Sequence, residues 1–225
     1  MKSILLTQTR PPSDKETKFW NHCGYTKILH QSLLDVEFSP IEPLNITPQA
    51  IVITSSNAAL ALESSDWDRS LPVYAVGNAT ALKAKAIGFE NSISPSNKAY
   101  PSALSLIEWI KENLNPEDGP IIFGCGNHLR HDVAEILHNC GFQTSKVILY
   151  TTKPSTAFHQ NIEEALRNNA IDAVVINSEM ALYGFVDLCI AKDINAEHVP
   201  CFVPSKFLQE CAHISGFLDI FVINH

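Results

Sequence analysis

Two stretches, Ile4-Leu5-Leu6-Thr7 and Ile121-Ile122-Phe123-Gly124, decide the fold, because each begins a copy of the same unit. Each leads through a helix-like segment to a Cys-Gly-aromatic end, Cys23-Gly24-Tyr25 in the first copy and Cys140-Gly141-Phe142 in the second. The spacing is the same in both copies, and glycine suits the left-handed backbone position that follows a helix. The sequence therefore contains one strand–helix unit twice.

Two further pairs of segments repeat in the same way. One pair is Val52-Ile53-Thr54-Ser55-Ser56-Asn57 with Val175-Ile176-Asn177-Ser178-Glu179-Met180, each a strand that ends on serine and opens a helix. The other is Val76-Gly77-Asn78-Ala79-Thr80 with Pro204-Ser205-Lys206-Phe207-Leu208, each running on to Gly-Phe. The chain supplies one unit, then a full set of three, then the two that the first lacked. We therefore predict a discontinuous domain at residues 1–34 and 152–225 around a continuous domain at residues 35–151.

Short apolar runs alternate with amphipathic stretches along the chain. The strand candidates are Ile4–Thr7, Ala50–Thr54, Val73–Val76, Ile121–Phe123, Val147–Tyr150, Ala173–Ile176, Cys201–Val203 and Ile220–Ile223. Strand, loop and helix in regular alternation indicate an α/β protein with parallel sheets, which bind ligands at the carboxyl ends of their strands. The two crossings between the domains, side by side, would form a two-stranded hinge.

Composition excludes several classes of protein. The 225 residues are 45% hydrophobic and 18% charged, as in an ordinary packed protein, and 16 Lys+Arg against 24 Asp+Glu give a net charge of -8. A negative chain repels a phosphate backbone, so nucleic acid is not an expected partner. No apolar run approaches the roughly 20 residues that cross a bilayer, and the start turns polar too soon for a signal peptide, so we expect no membrane partner and a cytoplasmic location.

Metal binding and disulfide bonding are not expected either. The six cysteines form no Cys-x-x-Cys pair and are expected to be reduced thiols. His128 and His131 could share a helix face close to Cys125, but structural zinc takes four ligands at paired spacings that this region lacks. A polar outer helix face explains these histidines equally well.

Four motifs in order resemble the uroporphyrinogen-III synthase family. They are Ile53-Thr54-Ser55-Ser56-Asn57, Val73-Tyr74-Ala75-Val76-Gly77-Asn78-Ala79-Thr80-Ala81, Ile122-Phe123-Gly124-Cys125-Gly126-Asn127-His128-Leu129-Arg130 and Val147-Ile148-Leu149-Tyr150-Thr151-Thr152. The resemblance implies two similar flavodoxin-like domains, a two-stranded hinge and an active cleft between the domains. It also implies a cofactor-free cyclisation of hydroxymethylbilane, a linear tetrapyrrole with eight carboxylates, with loss of water and inversion of the last ring. We expect the protein to be a monomer.

The resemblance also suggests site residues. Tyr150 ends the strand that leads to the hinge, and its phenol could protonate the departing hydroxyl; the alternative is a half-buried aromatic at a domain border. Thr80 is the second candidate catalytic residue. Candidate substrate-binding residues follow the strands: Thr54, Ser55, Ser56, Gly77, Asn78, Gly126, Asn127 and Ser178. For the hydroxyl residues among them the alternative is a helix N-cap, and both roles are compatible.

Arg10 and Arg130 are the cations expected to bind substrate carboxylates. Arg130 follows the glycine turn within the expected first helical turn, where a cation opposes the helix dipole, so it is either solvated or faces an anion. Arg10 precedes Pro11-Pro12, and its alternative is an ordinary surface arginine. Two other functions stay open: a non-catalytic two-domain binding module, and a regulatory module whose activity has decayed, since Ser205-Lys206-Phe207-Leu208 departs from the family pattern.

Overall fold

The protein divides into two compact units in a computed structural model that describes residues 1–95 and 102–223. The first unit comprises Met1–Asp35 and Lys153–His225, and the second comprises Val36–Thr152. The chain passes between the units along two strands that are neighbours in one sheet.

Eleven strands and eight α-helices alternate along the described residues. The strands are β1 (Lys2–Leu6), β2 (Tyr25–His30), β3 (Leu34–Phe38), β4 (Ala50–Ile53), β5 (Val73–Ala75), β6 (Ser92–Ile93), β7 (Ile121–Gly126), β8 (Thr144–Pro154), β9 (Ala173–Val175), β10 (Cys201–Val203) and β11 (Ile220–Val222). The helices are α1 (Asp14–His22), α2 (Ser56–Ala61), α3 (Asn78–Ala86), α4 (Ala103–Asn113), α5 (Val133–Asn139), α6 (Gln160–Arg167), α7 (Glu179–Ala191) and α8 (Lys206–Ile214). Short 3-10 turns lie at Leu62–Ser64 and Pro116–Asp118. The alternation confirms the predicted α/β class.

The first unit is built on a parallel sheet with the order β2-β1-β9-β10-β11. Numbered along this unit, that order is 2-1-3-4-5, the flavodoxin-like arrangement. Alternate residues of β1 serve opposite faces: Leu5 packs with the large cluster beneath α6, α7 and α8, whereas Ile4 and Leu6 pack with Trp20 of α1. Both faces of the sheet are therefore covered by helices.

The second unit has the sheet order β3-β8-β7-β4-β5-β6, and its pairs from β8 to β6 are parallel. Ile51 and Ile53 of β4 pack against α2 and α3, while Ala50 and Val52 pack against α4 and α5. If β7 and β8 are counted first, the order β8-β7-β4-β5-β6 is again the flavodoxin-like one. The two sheets thus have the same spatial order, with the chain entering at a different strand.

All eight predicted strands are present. The sequence interpretation missed β2, β3 and β6, which are the strands with the most polar or shortest runs. β2 lies at the edge of its sheet, and Thr26 and Lys27 on it are exposed, so it lacks the apolar run that marks a buried strand. β6 has only two residues.

Two glycines of the repeated unit end their helices as predicted. Gly24 follows α1 with φ +91°, and Gly141 follows α5 with φ +95°. A side chain is disfavoured at such angles, which explains why both copies have glycine after cysteine. Among the helices of the described residues, none is both long enough and apolar enough to cross a membrane.

Candidate active site

The carboxyl ends of β4, β5, β7 and β8 form one edge of the second sheet, which we call the second-unit edge. Parallel strands place their carboxyl ends together, and ligands of open α/β sheets bind there. The candidate residues around Ser55 follow β4, those around Gly77 follow β5, Gly126 ends β7, and Tyr150 lies in β8. Most of the predicted site residues therefore lie on this edge.

A hydrogen bond joins Tyr150 to Ser55. The Tyr150 hydroxyl lies 2.9 Å from Ser55 Oγ. Ser55 is also the N-cap of α2, where its Oγ accepts a bond of 3.0 Å from the Ala58 N–H. The serine is thus a helix cap and a partner of the tyrosine at once. Thr54 and Ser56 flank it and are half-buried.

Gly126 makes room for the Tyr150 ring. The two residues are partners across β7 and β8, just after a register shift between Cys125 and Gly126. A Cβ at position 126 would lie 2.6 Å from Tyr150 Cζ and 2.9 Å from its hydroxyl oxygen. Any side chain here would displace the ring, so the glycine is required by the position of the tyrosine.

Asn127 extends the β7–β8 ladder beyond the shift. Its N–H donates to the Tyr150 carbonyl at 3.1 Å, and its Oδ1 accepts a bond of 2.8 Å from the Thr152 N–H. Nδ2 lies 3.5 Å from the Thr152 carbonyl. The side chain is exposed but fixes the backbone that carries Tyr150.

The turn Gly77-Asn78-Ala79-Thr80 lies partly inside a helix. The helix α3 begins at Asn78, with Gly77 as its N-cap. Asn78 is exposed and accessible to a ligand, but Thr80 is only 6% exposed. Asn78, Ala79 and Thr80 thus form the first turn of the helix.

Arg130 lies in a loop, which corrects the prediction of a cation in the first helical turn. The α5 helix begins at Val133, and Asp132 caps it by accepting a bond of 3.2 Å from the Glu135 N–H. The argument from the helix dipole therefore does not apply to Arg130, whose side chain is exposed. His128 and His131 lie in the same loop, so the predicted shared helix face is wrong as well.

Asp132 pairs with Lys146 next to Cys125. The Lys146 ammonium lies 2.6 Å from Asp132 Oδ2, and this bond lowers the pKa of the carboxyl. Burial raises the pKa of the Cys125 thiol to about 11, despite the nearby ammonium. The thiol is therefore protonated at neutral pH and is a poor nucleophile.

In the first unit, Arg10 is bound to Glu16, a partner that the sequence interpretation missed. The guanidinium makes two bonds to the carboxylate, of 2.7 and 2.9 Å. Glu16 also completes a capping box with Ser13 at the start of α1. Burial alone would raise the pKa of Glu16, but the bonds from Arg10 and Ser13 lower it to about 2. The pattern Ser13-x-x-Glu16 was the available signal.

Ser178 caps α7, where its Oγ accepts a bond of 3.2 Å from the Ala181 N–H. Ser205 caps α8 in the same way through the Leu208 N–H. All six cysteines are free thiols. Within residues 1–95 and 102–223, no group of three His, Cys, Asp or Glu side chains could hold a metal ion.

The fold resembles that of solved uroporphyrinogen-III synthases. A crystal structure of uroporphyrinogen-III synthetase from Helicobacter pylori superposes with a TM-score of 0.65 at 13% identity, covering 99% of this chain and 92% of that one. A mutant uroporphyrinogen III synthase from the extremely thermophilic bacterium Thermus thermophilus superposes with a TM-score of 0.53 at 14% identity, covering 100% and 93%. At such identities these similarities support the two-domain α/β fold.

The sequence itself supplies the family. No curated protein matches the chain at a significant level. The family profile described as uroporphyrinogen-III synthase HemD, however, matches residues 27–217, which is most of the 225-residue chain and includes both crossings and the whole second-unit edge. The chain therefore belongs to the uroporphyrinogen-III synthase HemD family, the family that its sequence motifs resemble.

Proposed function

We propose that this protein is a hydro-lyase of tetrapyrrole biosynthesis that converts hydroxymethylbilane to uroporphyrinogen III. Family membership supports the reaction class. The observation that carries the proposal for this chain is the Tyr150 hydroxyl held by Ser55 at the second-unit edge, since the reaction needs a proton donor for a departing hydroxyl.

The proposed reaction begins when the bond between the hydroxymethyl carbon and its oxygen breaks. The oxygen leaves with the bonding electron pair and takes the phenol proton of Tyr150, so that water departs. The lone pair of the adjacent pyrrole nitrogen stabilises the carbon as an azafulvene cation. Because only water is lost and no electrons are transferred to another molecule, we expect no redox cofactor.

Ring inversion follows through a spiro intermediate. The substituted carbon of the last ring attacks the azafulvene, which gives the spiro intermediate. The original bond from this carbon to the neighbouring bridge carbon then breaks. The bridge carbon forms a new bond to the other α-carbon of the last ring. Loss of one proton restores aromaticity and returns the phenol. Free bilane closes without inversion to the I isomer, so each tenfold preference for the III isomer needs about 1.4 kcal/mol of differential transition-state binding.

The eight substrate carboxylates need local donors, because the chain as a whole carries a net charge of -8. Arg130 is exposed in the loop after β7, and Asn78 is exposed at the start of α3. Arg10 is already paired with Glu16, so a substrate carboxylate would share or displace that partner. We propose Arg130 as the stronger and Arg10 as the weaker of the two cationic contacts. Ser178 is proposed as a further contact, and Thr80 as an assisting hydroxyl.

The test supplies bilane from an enzymatic source and separates the uroporphyrin isomers after oxidation. The III isomer should dominate in the presence of the protein, with a chelator added and without nucleotides. An unchanged excess of the I isomer would instead favour the binding module or the decayed regulatory module. Activity that a chelator abolishes would contradict the cofactor-free reaction.

A further inference from the structure

We propose that Ser55 is a positioning residue that keeps the Tyr150 proton available for the departing hydroxyl. The inference rests on the proposed function and deepens it, because Ser55 then acts through the tyrosine and not through a contact of its own with substrate. Three observations support it: the hydrogen bonds that Ser55 Oγ can make, the packing around the Tyr150 ring, and a comparison with the other serine caps.

The first argument is the hydrogen-bond capacity of Ser55 Oγ. A serine hydroxyl has one proton to donate and two lone pairs that accept. One lone pair is used by the Ala58 N–H at 3.0 Å, which fixes the side chain at the start of α2. The serine proton is then free to point at the Tyr150 oxygen, 2.9 Å away. In that arrangement the tyrosine accepts from Ser55 and keeps its own proton for another acceptor.

The same arrangement helps after proton transfer. When the phenol proton goes to the leaving oxygen, the Tyr150 oxygen becomes a phenolate and needs a donor. Ser55 is already hydrogen-bonded to that oxygen and can donate to it without moving, and a bond to an ionised acceptor is stronger than a neutral one. The proton that the last ring loses on regaining aromaticity restores the phenol.

The second argument is that the ring has little freedom to turn away. The absent side chain at Gly126 leaves a space that the Tyr150 ring fills, with Cζ and Cε2 2.6 and 2.7 Å from where a Cβ would lie. The Asn127 N–H holds the Tyr150 carbonyl at 3.1 Å. The backbone and the ring are thus fixed from one side, and Ser55 fixes the hydroxyl from the other.

The third argument comes from the other serine caps. Ser178, Ser205 and Ser102 each accept the same bond from the N–H three residues ahead. In the part of the chain that the structure describes, Ser55 is the cap serine that is also bonded to a tyrosine. Capping alone therefore does not account for the position of its second partner.

A double-mutant cycle tests the proposal with the full chain and enzymatically supplied bilane. Tyr150→Phe should lower kcat by roughly ten- to a thousandfold. Ser55→Ala should lower kcat by about three- to thirtyfold with KM little changed, since it removes an interaction used in the transition state. In the Tyr150→Phe background, Ser55→Ala should cost less than about twofold more. Effects that multiply, or a raised KM alone, would overturn the positioning role.

Two controls separate positioning from folding. Ser102→Ala removes a serine cap from α4 of the same unit and should leave kcat unchanged. Ser55→Thr keeps both the hydroxyl and the cap and should restore most of the activity lost in Ser55→Ala. If Ser55→Thr is as impaired as Ser55→Ala although both are folded, the hydroxyl is not what matters, and the proposal is wrong.

An NMR measurement separates this proposal from the proposed function. In protein labelled with 13C at tyrosine Cζ, the Tyr150 signal is identified by its absence from Tyr150→Phe. It should shift in Ser55→Ala and stay in place in Ser102→Ala. A shift in a protein that forms no III isomer would support the Ser55–Tyr150 pair while the reaction assignment fails. An unmoved signal in an active enzyme would overturn the pair alone.

Discussion

The carboxyl edges of the two sheets differ in chemistry although the sheets share one strand order. At the first-unit edge, Thr7 donates to the Val175 carbonyl at 2.7 Å and Arg10 is bound to Glu16, so these polar groups are satisfied within the unit. At the second-unit edge, Gly124 corresponds in the repeated unit to Thr7, and Tyr150 fills the space that Gly126 leaves. The two units thus share a strand order, and we propose that the residues at the second-unit edge carry the chemistry.

The largest expected effect comes from closing that space. Gly126→Ala places a Cβ 2.6 Å from the Tyr150 ring, so the hydroxyl must move away from Ser55. We expect turnover to fall at least as far as in Tyr150→Phe, together with a loss of stability of about 1–3 kcal/mol from overpacking. Bilane turnover and thermal unfolding measure the two effects.

The matched control is a glycine of the first unit. Gly184 lies in α7, where a Cβ would meet Pro154 Cβ at 3.3 Å, and alanine favours a helix over glycine by about 1 kcal/mol. Gly184→Ala should therefore change stability and turnover little. Equal losses of turnover in both variants would contradict a specific need for the space at Gly126.

The sequence predicts best those features of the fold whose signals lie in a short stretch of residues. Buried strands such as β4 are recognisable because both faces of the strand are shielded from water, which requires a run of consecutive apolar residues. Gly24 and Gly141 are recognisable because glycine is favoured where a helix ends. The sequence analysis missed the edge strand β2. This strand pairs with one neighbouring strand and is partly exposed, so it does not need a continuous apolar run. The sequence also singled out Ser55, Gly126 and Tyr150 individually.

What the sequence could not provide is which of these groups contact one another. Ser55 and Tyr150 lie 95 positions apart, and their bond depends on the β4-β7-β8 order and on a one-residue register shift. Arg130 was misplaced because Asp132, a strong N-cap, begins α5 later than the glycine turn suggested. Strand register is set by long-range contacts, and the choice between neighbouring helix caps is a local effect. Hydrophobic periodicity encodes neither of them.

A moderate effect is expected from the ion pairs at the starts of the counterpart helices α1 and α5. The pKa of Glu16 is about 2 in the folded protein against an ordinary value of 4.5, so its stabilisation is present above 4.5 and is lost as the pH falls toward 2. Glu16→Gln should unfold at a lower temperature than wild type at neutral pH, and the gap should narrow through this acid range.

Asp132→Asn is the matched variant in the second unit. The pKa of Asp132 is also lowered, first by the bond from Lys146, so its gap should narrow on acidification in the same direction. Calorimetric melting at several pH values measures both. A gap for Glu16→Gln that stayed constant down to about pH 2 would show that the Arg10 pair does not stabilise the folded state.

The smallest expected effect concerns the thiols, and it tests how similar the two units are. Cys23 and Cys140 are the C-caps of the counterpart helices α1 and α5, and both are exposed. They should react with a thiol reagent at similar rates, while the buried cysteines at 125, 189, 201 and 211 stay protected in the native protein. Burial raises the pKa of Cys189 and of Cys201 to about 12. If more than two thiols react rapidly, at least one buried cysteine must become accessible to the reagent, which the packing of the two units does not predict.

The most direct test of the central claim compares Tyr150→Phe with Ser178→Ala by the isomer ratio formed from the same bilane. Each variant removes one hydroxyl from a sheet edge, in the second and the first unit respectively. We expect the III isomer still to dominate with Ser178→Ala, whereas Tyr150→Phe should shift the products toward the spontaneous I isomer. Loss of the III isomer in Ser178→Ala with an unaffected Tyr150→Phe would mean that the first-unit edge carries the chemistry, and the assignment of roles would be wrong.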